Sequence, residues 1–137
     1  MEVTYRTTAH SVNGRSGAVT VENSKLAFAM EPPGGKNEDA VNPEQLFAAG
    51  YSACFGGALH HVVRVHKLRI PLPEVRLTVG LGKDEAGNFQ LTADIVGVFK
   101  ELDQKTADEL MAEAHQVCPY SRATRGNIPV TLKAEIA

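Results

Sequence analysis

Cysteine and concentrated charge are both scarce in this chain. Only two cysteines occur in 137 residues, Cys54 and Cys118. That count cannot build the disulfide framework of a small secreted domain, and a chain of this length can bury a core without one. The net charge is −2 and no block of like charge occurs, so the footprint of a nucleic-acid-binding protein is missing. The opening MEVTYRTTAH has no basic stretch leading into an apolar run and does not read as a secretory leader. The longest stretch without a charged residue, Gln45–Val63, holds Gln45, Ser52, His60, His61 and several glycines. It reads as a buried helix rather than a membrane span. C-x-x-C and a histidine pair at i, i+4 are both absent, so neither a metal nor a cofactor is expected. G-x-S-x-G is absent as well. A single domain over residues 1–137 in a reducing, cytoplasmic setting is expected.

What is present is alternation followed by helical periodicity. EVTYRTTAHSV and GAVTVEN are β-rich and flank Asn13-Gly14, a two-residue hairpin signal. KLAFAM predicts a third strand, and EPPGGKNEDAVN, residues 31–42, a long loop. Asn42 as cap, Pro43 at the first helical position and Glu44 at the positive end then announce a helix. Phe47, Tyr51, Cys54, Ala58, Val62 and Val65 share one face of it, with Leu59 and Val63 opposite, so it should be apolar nearly all round and central. Its glycines, Gly50, Gly56 and Gly57, call for close approach of another backbone, such as a second copy of the helix. PEVRLTVGLG and FQLTADIVGVF predict a hairpin. Asp103 caps a helix over QKTADELMAEAHQV that Pro119 ends, and NIPVTLKAEI closes the chain as a strand. The order predicts an α+β fold, a long helix covering a largely antiparallel sheet.

Cys54 lies in YSACFGGAL, a thiol among small side chains. Taken alone it reads as core filler, because a free cysteine behaves as a small hydrophobe. Cys118, in HQVCPYS, has the same plain reading, although a helix end before proline favours exposure. A reactive thiol must be ionised. At the ordinary pKa of about 8.5 only roughly a few per cent is thiolate at neutral pH, and burial lowers that fraction. A buried, reactive Cys54 therefore needs a fixed cation. Arg15 is one candidate, and Glu44 is an anion able to hold its guanidinium. Beside the thiolate itself Glu44 would oppose ionisation, so its useful role is to aim Arg15. His10, His60, His61, His66 and His115 leave a Cys–His hydrolase open, but sequence places none of them at a thiol.

NPEQLFAAGYSACFGGAL (residues 42–59), VCPYSRATRGNIPV (117–130) and NGRSGAV (13–19) together resemble the organic hydroperoxide resistance branch of the Ohr/OsmC family, and the likeness spans the chain. The resemblance implies an Ohr/OsmC-like fold, with antiparallel sheets wrapped around long central helices in an intertwined homodimer. It implies Cys54 as the peroxidatic cysteine, Cys118 as the resolving cysteine, Arg15 as the residue stabilising the thiolate and Glu44 as the one orienting Arg15. It also implies reduction of organic hydroperoxides, fatty-acid hydroperoxides among them, recycled by a dithiol of the lipoyl type. Phe47, Tyr51 and Phe55 are placed to accept the organic half of the substrate or to pack in the core. The 31–42 loop lacks the longer glycine-rich run common before NPEQ, and substrate preference is expected to differ there. A cysteine-based redox sensor and a peroxidase of the OsmC branch are the alternatives. Glu44 and Cys54 lie ten residues apart, about 15 Å along a helix. One arginine cannot easily serve both within one chain. Sites shared between subunits are expected, with Arg15 and Glu44 from one and both cysteines from the other.

Overall fold

The computed structural model describes every residue from Met1 to Ala137 and divides into two compact units, Met1–Leu46 and Phe47–Ala137. In the first unit, β1 (Ala9–Val12), β2 (Ala18–Val21), β3 (Ala27–Met30) and β4 (Ala40–Val41) form a sheet in that order. The β1/β2 and β2/β3 pairs are antiparallel and β3/β4 is parallel. The two-residue hairpin expected at Asn13-Gly14 is not what forms. Val12 pairs with Ala18, leaving residues 13–17 as the connection. Asn13 and Gly14 are left-handed (φ 58° and 52°), and Gly14–Ser16 close a 3-10 turn that carries Arg15. A Cβ on Gly17 would overlap the Val12 carbonyl, so only glycine lets the chain fold back there.

The strand expected over residues 2–12 begins only at Ala9. Its alternation is real, but β2 ends at Val21 and Asn23 turns left-handed, so the chain itself offers residues 1–7 no ladder. Val3 and Tyr5 are left exposed. The 31–42 loop is ordered around one carboxylate. Glu31 accepts the backbone N–H groups of Lys36 (3.1 Å) and Asn37 (2.9 Å), and the loop then adds β4 to the sheet. The long helix α1 (Pro43–Val65) starts in this unit. Asn42 Oδ1 accepts from the Gln45 N–H, and Gln45 Oε1 accepts from the Asn42 N–H, both at 2.8 Å, a reciprocal cap.

In the second unit, α1 continues and is followed by β5 (Glu74–Lys83), β6 (Phe89–Phe99), α2 (Gln104–Val117), α3 (Pro119–Thr124) and β7 (Val130–Ile136). The β5/β6 pair is an antiparallel hairpin, and β7 runs parallel to β6. Parallel pairing requires a crossover, which α2 and α3 supply. Both sheets are thus antiparallel except for one parallel pair each. Asp103 caps α2 by accepting from the Thr106 N–H at 2.9 Å.

The core joins Tyr51, Phe55, Leu59, Val62 and Val63 of α1 to Ile95 and Phe99 of β6 and to Leu110 and Met111 of α2. By length and composition α1 could cross a membrane, and its apolar stripe lies in this core. It is not buried all round. Leu59 and Val63 sit on the buried stripe rather than opposite it, Val65 is 56% exposed, and Ala53 and Gly57 are open. Within the single chain the glycines differ from one another. A Cβ on Gly50 would lie 3.1 Å from the Tyr120 hydroxyl, whereas one on Gly57 would meet nothing. Within the chain, the close approach at Gly50 is made by a ring.

Candidate active site

The second unit brings the two cysteines together. Cys54 projects from α1 at the edge of the buried stripe and is partly exposed. Cys118 is the single residue between α2 and α3. Pro119 disfavours a helical conformation in the residue before it, and Cys118 is accordingly extended (φ −61°, ψ 122°). That corner ends α2 and aims the thiol at α1. The Cys118 Sγ–H donates to Cys54 Sγ at 3.5 Å, and both thiols are free. A disulfide requires sulfurs about 2.05 Å apart, so a small closure would join them.

Pro119 does not end helical structure there. It occupies the first turn of α3, where its missing N–H costs nothing. Because α3 folds back, Cys118 is 0% exposed, the opposite of what its position at a helix end suggests. The Tyr51 hydroxyl ties α3 to α1, lying 2.9 Å from Ser121 Oγ and 3.0 Å from Thr124 Oγ1. Phe47, Tyr51 and Tyr120 pack their rings together, with centroids 5.7–6.4 Å apart. Tyr51 and Phe55 are wholly buried core residues, and Phe47 is only partly covered. The hydroxyl cluster and α3 escape a reading that takes Pro119 only as a stop. The signal for them was a proline at a helix start followed by SRAT.

Burial pushes the Cys54 thiol above its ordinary pKa. The Tyr120 backbone N–H works the other way, and the neighbouring Cys118 sulfur pushes up again. No cation of the second unit acts on Cys54, and no histidine of that unit hydrogen-bonds either sulfur.

The first unit brings Arg15 and Glu44 together. Arg15 Nη1 and Nη2 donate to Glu44 Oε2 and Oε1 at 2.9 and 2.7 Å, a bidentate pair. The Arg15 hydrogen bonds hold the Glu44 carboxyl below the usual carboxylate range, and Glu44 raises the guanidinium in return. The Arg15 side chain is 49% exposed and that of Glu44 13%, so the cation reaches outward from an anchored carboxylate. No group of three or more His, Cys, Asp or Glu residues converges as a metal would require.

The OsmC-like protein family model matches residues 35–133. The chain is 44% identical to organic hydroperoxide resistance protein-like 1 of Staphylococcus epidermidis, over 99% of each. It is 46% identical to organic hydroperoxide resistance protein OhrB of Bacillus subtilis, over 88% of this chain and 90% of that protein. Among crystal structures, it superposes on an organic hydroperoxide resistance protein of Elizabethkingia anophelis with a TM-score of 0.92, 41% identity and full coverage of both chains. On OhrB of Bacillus subtilis the TM-score is 0.89 at 40% identity, covering 97% of this chain and 100% of that one.

Proposed function

Because the chain belongs to the organic hydroperoxide resistance branch of the OsmC-like family, we propose that it is a cysteine-based peroxidase reducing organic hydroperoxides, fatty-acid hydroperoxides among them, to alcohols. The observation that carries this reading is the pair of free thiols 3.5 Å apart, one partly exposed and one buried. The Cys54 thiolate attacks the distal peroxide oxygen. The O–O bond breaks, the alkoxide leaves and takes up a proton, and Cys54 becomes a sulfenic acid. The Cys118 thiol then attacks the Cys54 sulfur. Water leaves and a Cys54–Cys118 disulfide remains, protecting Cys54 from further oxidation. A dithiol of the lipoyl type reopens the bridge by exchange and carries away the two electrons' worth of oxidation. The cycle needs a reducing compartment, and the cytoplasm is the proposed location.

The thiolate needs a cation, and none in the second unit acts on Cys54. Arg15, aimed by Glu44, is that cation in our reading, and the protein works as a homodimer in which each Cys54 takes Arg15 and Glu44 from the partner subunit. Two observations favour this. Ten residues of α1 separate Glu44 from Cys54, about 15 Å of helix. The open Ala53 and Gly57 and the exposed Val65 leave one face of α1 free to be covered.

Consumption of tert-butyl hydroperoxide with a dithiol tests the proposal. Cys54→Ser should abolish it. Cys118→Ser should react once, recycle poorly and accumulate sulfinic acid at Cys54. A Cys118→Ser protein that cycled normally would remove the resolving role. Stoichiometric oxidation of the unmodified protein without turnover would mark a redox sensor instead.

A further inference from the structure

Three buried hydroxyls are left unused by that chemistry. Tyr51 and Ser121 are 0% exposed and Thr124 6%, and they meet in one cluster between α1 and α3. Thr124 Oγ1 donates to the Ser121 carbonyl at 3.3 Å. The Tyr51 hydroxyl then donates to Thr124 Oγ1 and accepts from Ser121 Oγ, so every hydroxyl proton has a partner. The ring of Tyr51 would pack equally well without its oxygen, and a buried hydroxyl gains only when its bonds are made. The placement is informative. Tyr51 precedes Cys54 by three residues on α1, and Ser121 follows Cys118 by three residues. On α1 that spacing puts Tyr51 and Cys54 on neighbouring turns of one face, and Ser121 lies in the first turn of the helix that the extended Cys118 caps. The hydroxyl cluster therefore crosses from α1 to α3 about one turn from where the sulfurs meet.

We propose that Tyr51, with Ser121 and Thr124, forms a clamp that positions Cys118 against Cys54. These are positioning residues for disulfide closure, a role that rests on the peroxidase reading above. With the clamp made, the reduced protein already holds its sulfurs 3.5 Å apart, and closing the bond restricts little further motion. Without it, α3 and Cys118 gain freedom in the reduced state that the disulfide must remove, so the disulfide becomes less favourable.

The test is equilibrium oxidation of the full-length protein in dithiothreitol buffers, with the Cys54–Cys118 bridge quantified by thiol alkylation and mass spectrometry. Tyr51→Phe should lower the equilibrium constant for the bridge at least tenfold, raising the potential by about 30 mV. Tyr51→Phe also strands two polar partners and should lower the melting temperature. A triple variant, Tyr51→Phe with Ser121→Ala and Thr124→Val, removes those stranded groups. It should regain much of the melting temperature yet keep the tenfold loss. An equilibrium constant within twofold of the unmodified protein's in either variant, or recovery of stability and equilibrium constant together in the triple variant, would overturn the clamp. If the unmodified protein formed no Cys54–Cys118 bridge in any buffer, the peroxidase reading would fail and the clamp with it. A normal bridge with unshifted variants would remove the clamp alone.

Discussion

At the scale of single residues, the chemistry turns on how the Cys54 proton is lost. Burial holds that thiol above its ordinary pKa, and the Tyr120 N–H offsets this only in part. The peroxidase rate should therefore rise with pH as the thiolate fraction rises, and the midpoint should depend on Arg15. Arg15→Ala should lower kcat/KM at neutral pH by at least tenfold and move the midpoint of its pH profile upward, with much of the loss recovered in alkali. Arg15→Lys keeps the charge but not the two-pronged grip on Glu44, and should fall between. An unmoved midpoint in Arg15→Ala would take this residue out of the site. Glu44 titrates with the opposite sign. Arg15 depresses its folded pKa, so the pair's contribution is complete above the ordinary carboxylate range and is lost as pH falls through the depressed value. Cys54, Cys118, Arg15 and Glu44 were singled out in the sequence by the family resemblance, since each taken alone has a plainer reading. The inward turn of Cys118 was not, because it depends on which way the chain continues after Pro119.

At the scale of elements, the readable parts are those whose signals are local. The alternation of Phe89–Phe99 and the Asp103 cap before Gln104–Val117 gave the bounds of β6 and α2 as they stand. The unreadable parts depend on partners distant in sequence. Residues 1–7 alternate like a strand but have no neighbour in the chain, and the parallel pairing of β7 with β6 follows from a crossover that no local pattern announces. The helix α1 was legible at its start, and its reciprocal Asn42–Gln45 cap fixes where the helix begins, at Pro43 immediately before Glu44. Asn42→Ala should cost about 0.5–2 kcal/mol of stability, read from denaturant or thermal unfolding. Gln45→Ala should lose a similar or smaller amount through the other half of the cap.

At the scale of the molecule, the exposed Tyr5 (78%), the exposed Val65 and the open small-residue face on α1 are the surfaces that the proposed dimer would cover. Light scattering should give a dimer. Mixing supplies the sharper test. An Arg15→Ala chain carries intact cysteines and a Cys54→Ser chain carries an intact arginine. If sites are shared, refolding the two together should restore roughly a quarter of normal activity, since about half the dimers are mixed and each holds one whole site. If each chain builds its own site, mixing restores nothing.

The full burial of Cys118 beside a partly open Cys54 also sets a direction of travel. In the proposed cycle an incoming dithiol would reach only one sulfur of the bridge, so it should be captured on Cys54 and expel Cys118 inward as the leaving group. On that reading oxidant and reductant would enter through the same doorway in turn, and neither would be served while the other occupied it.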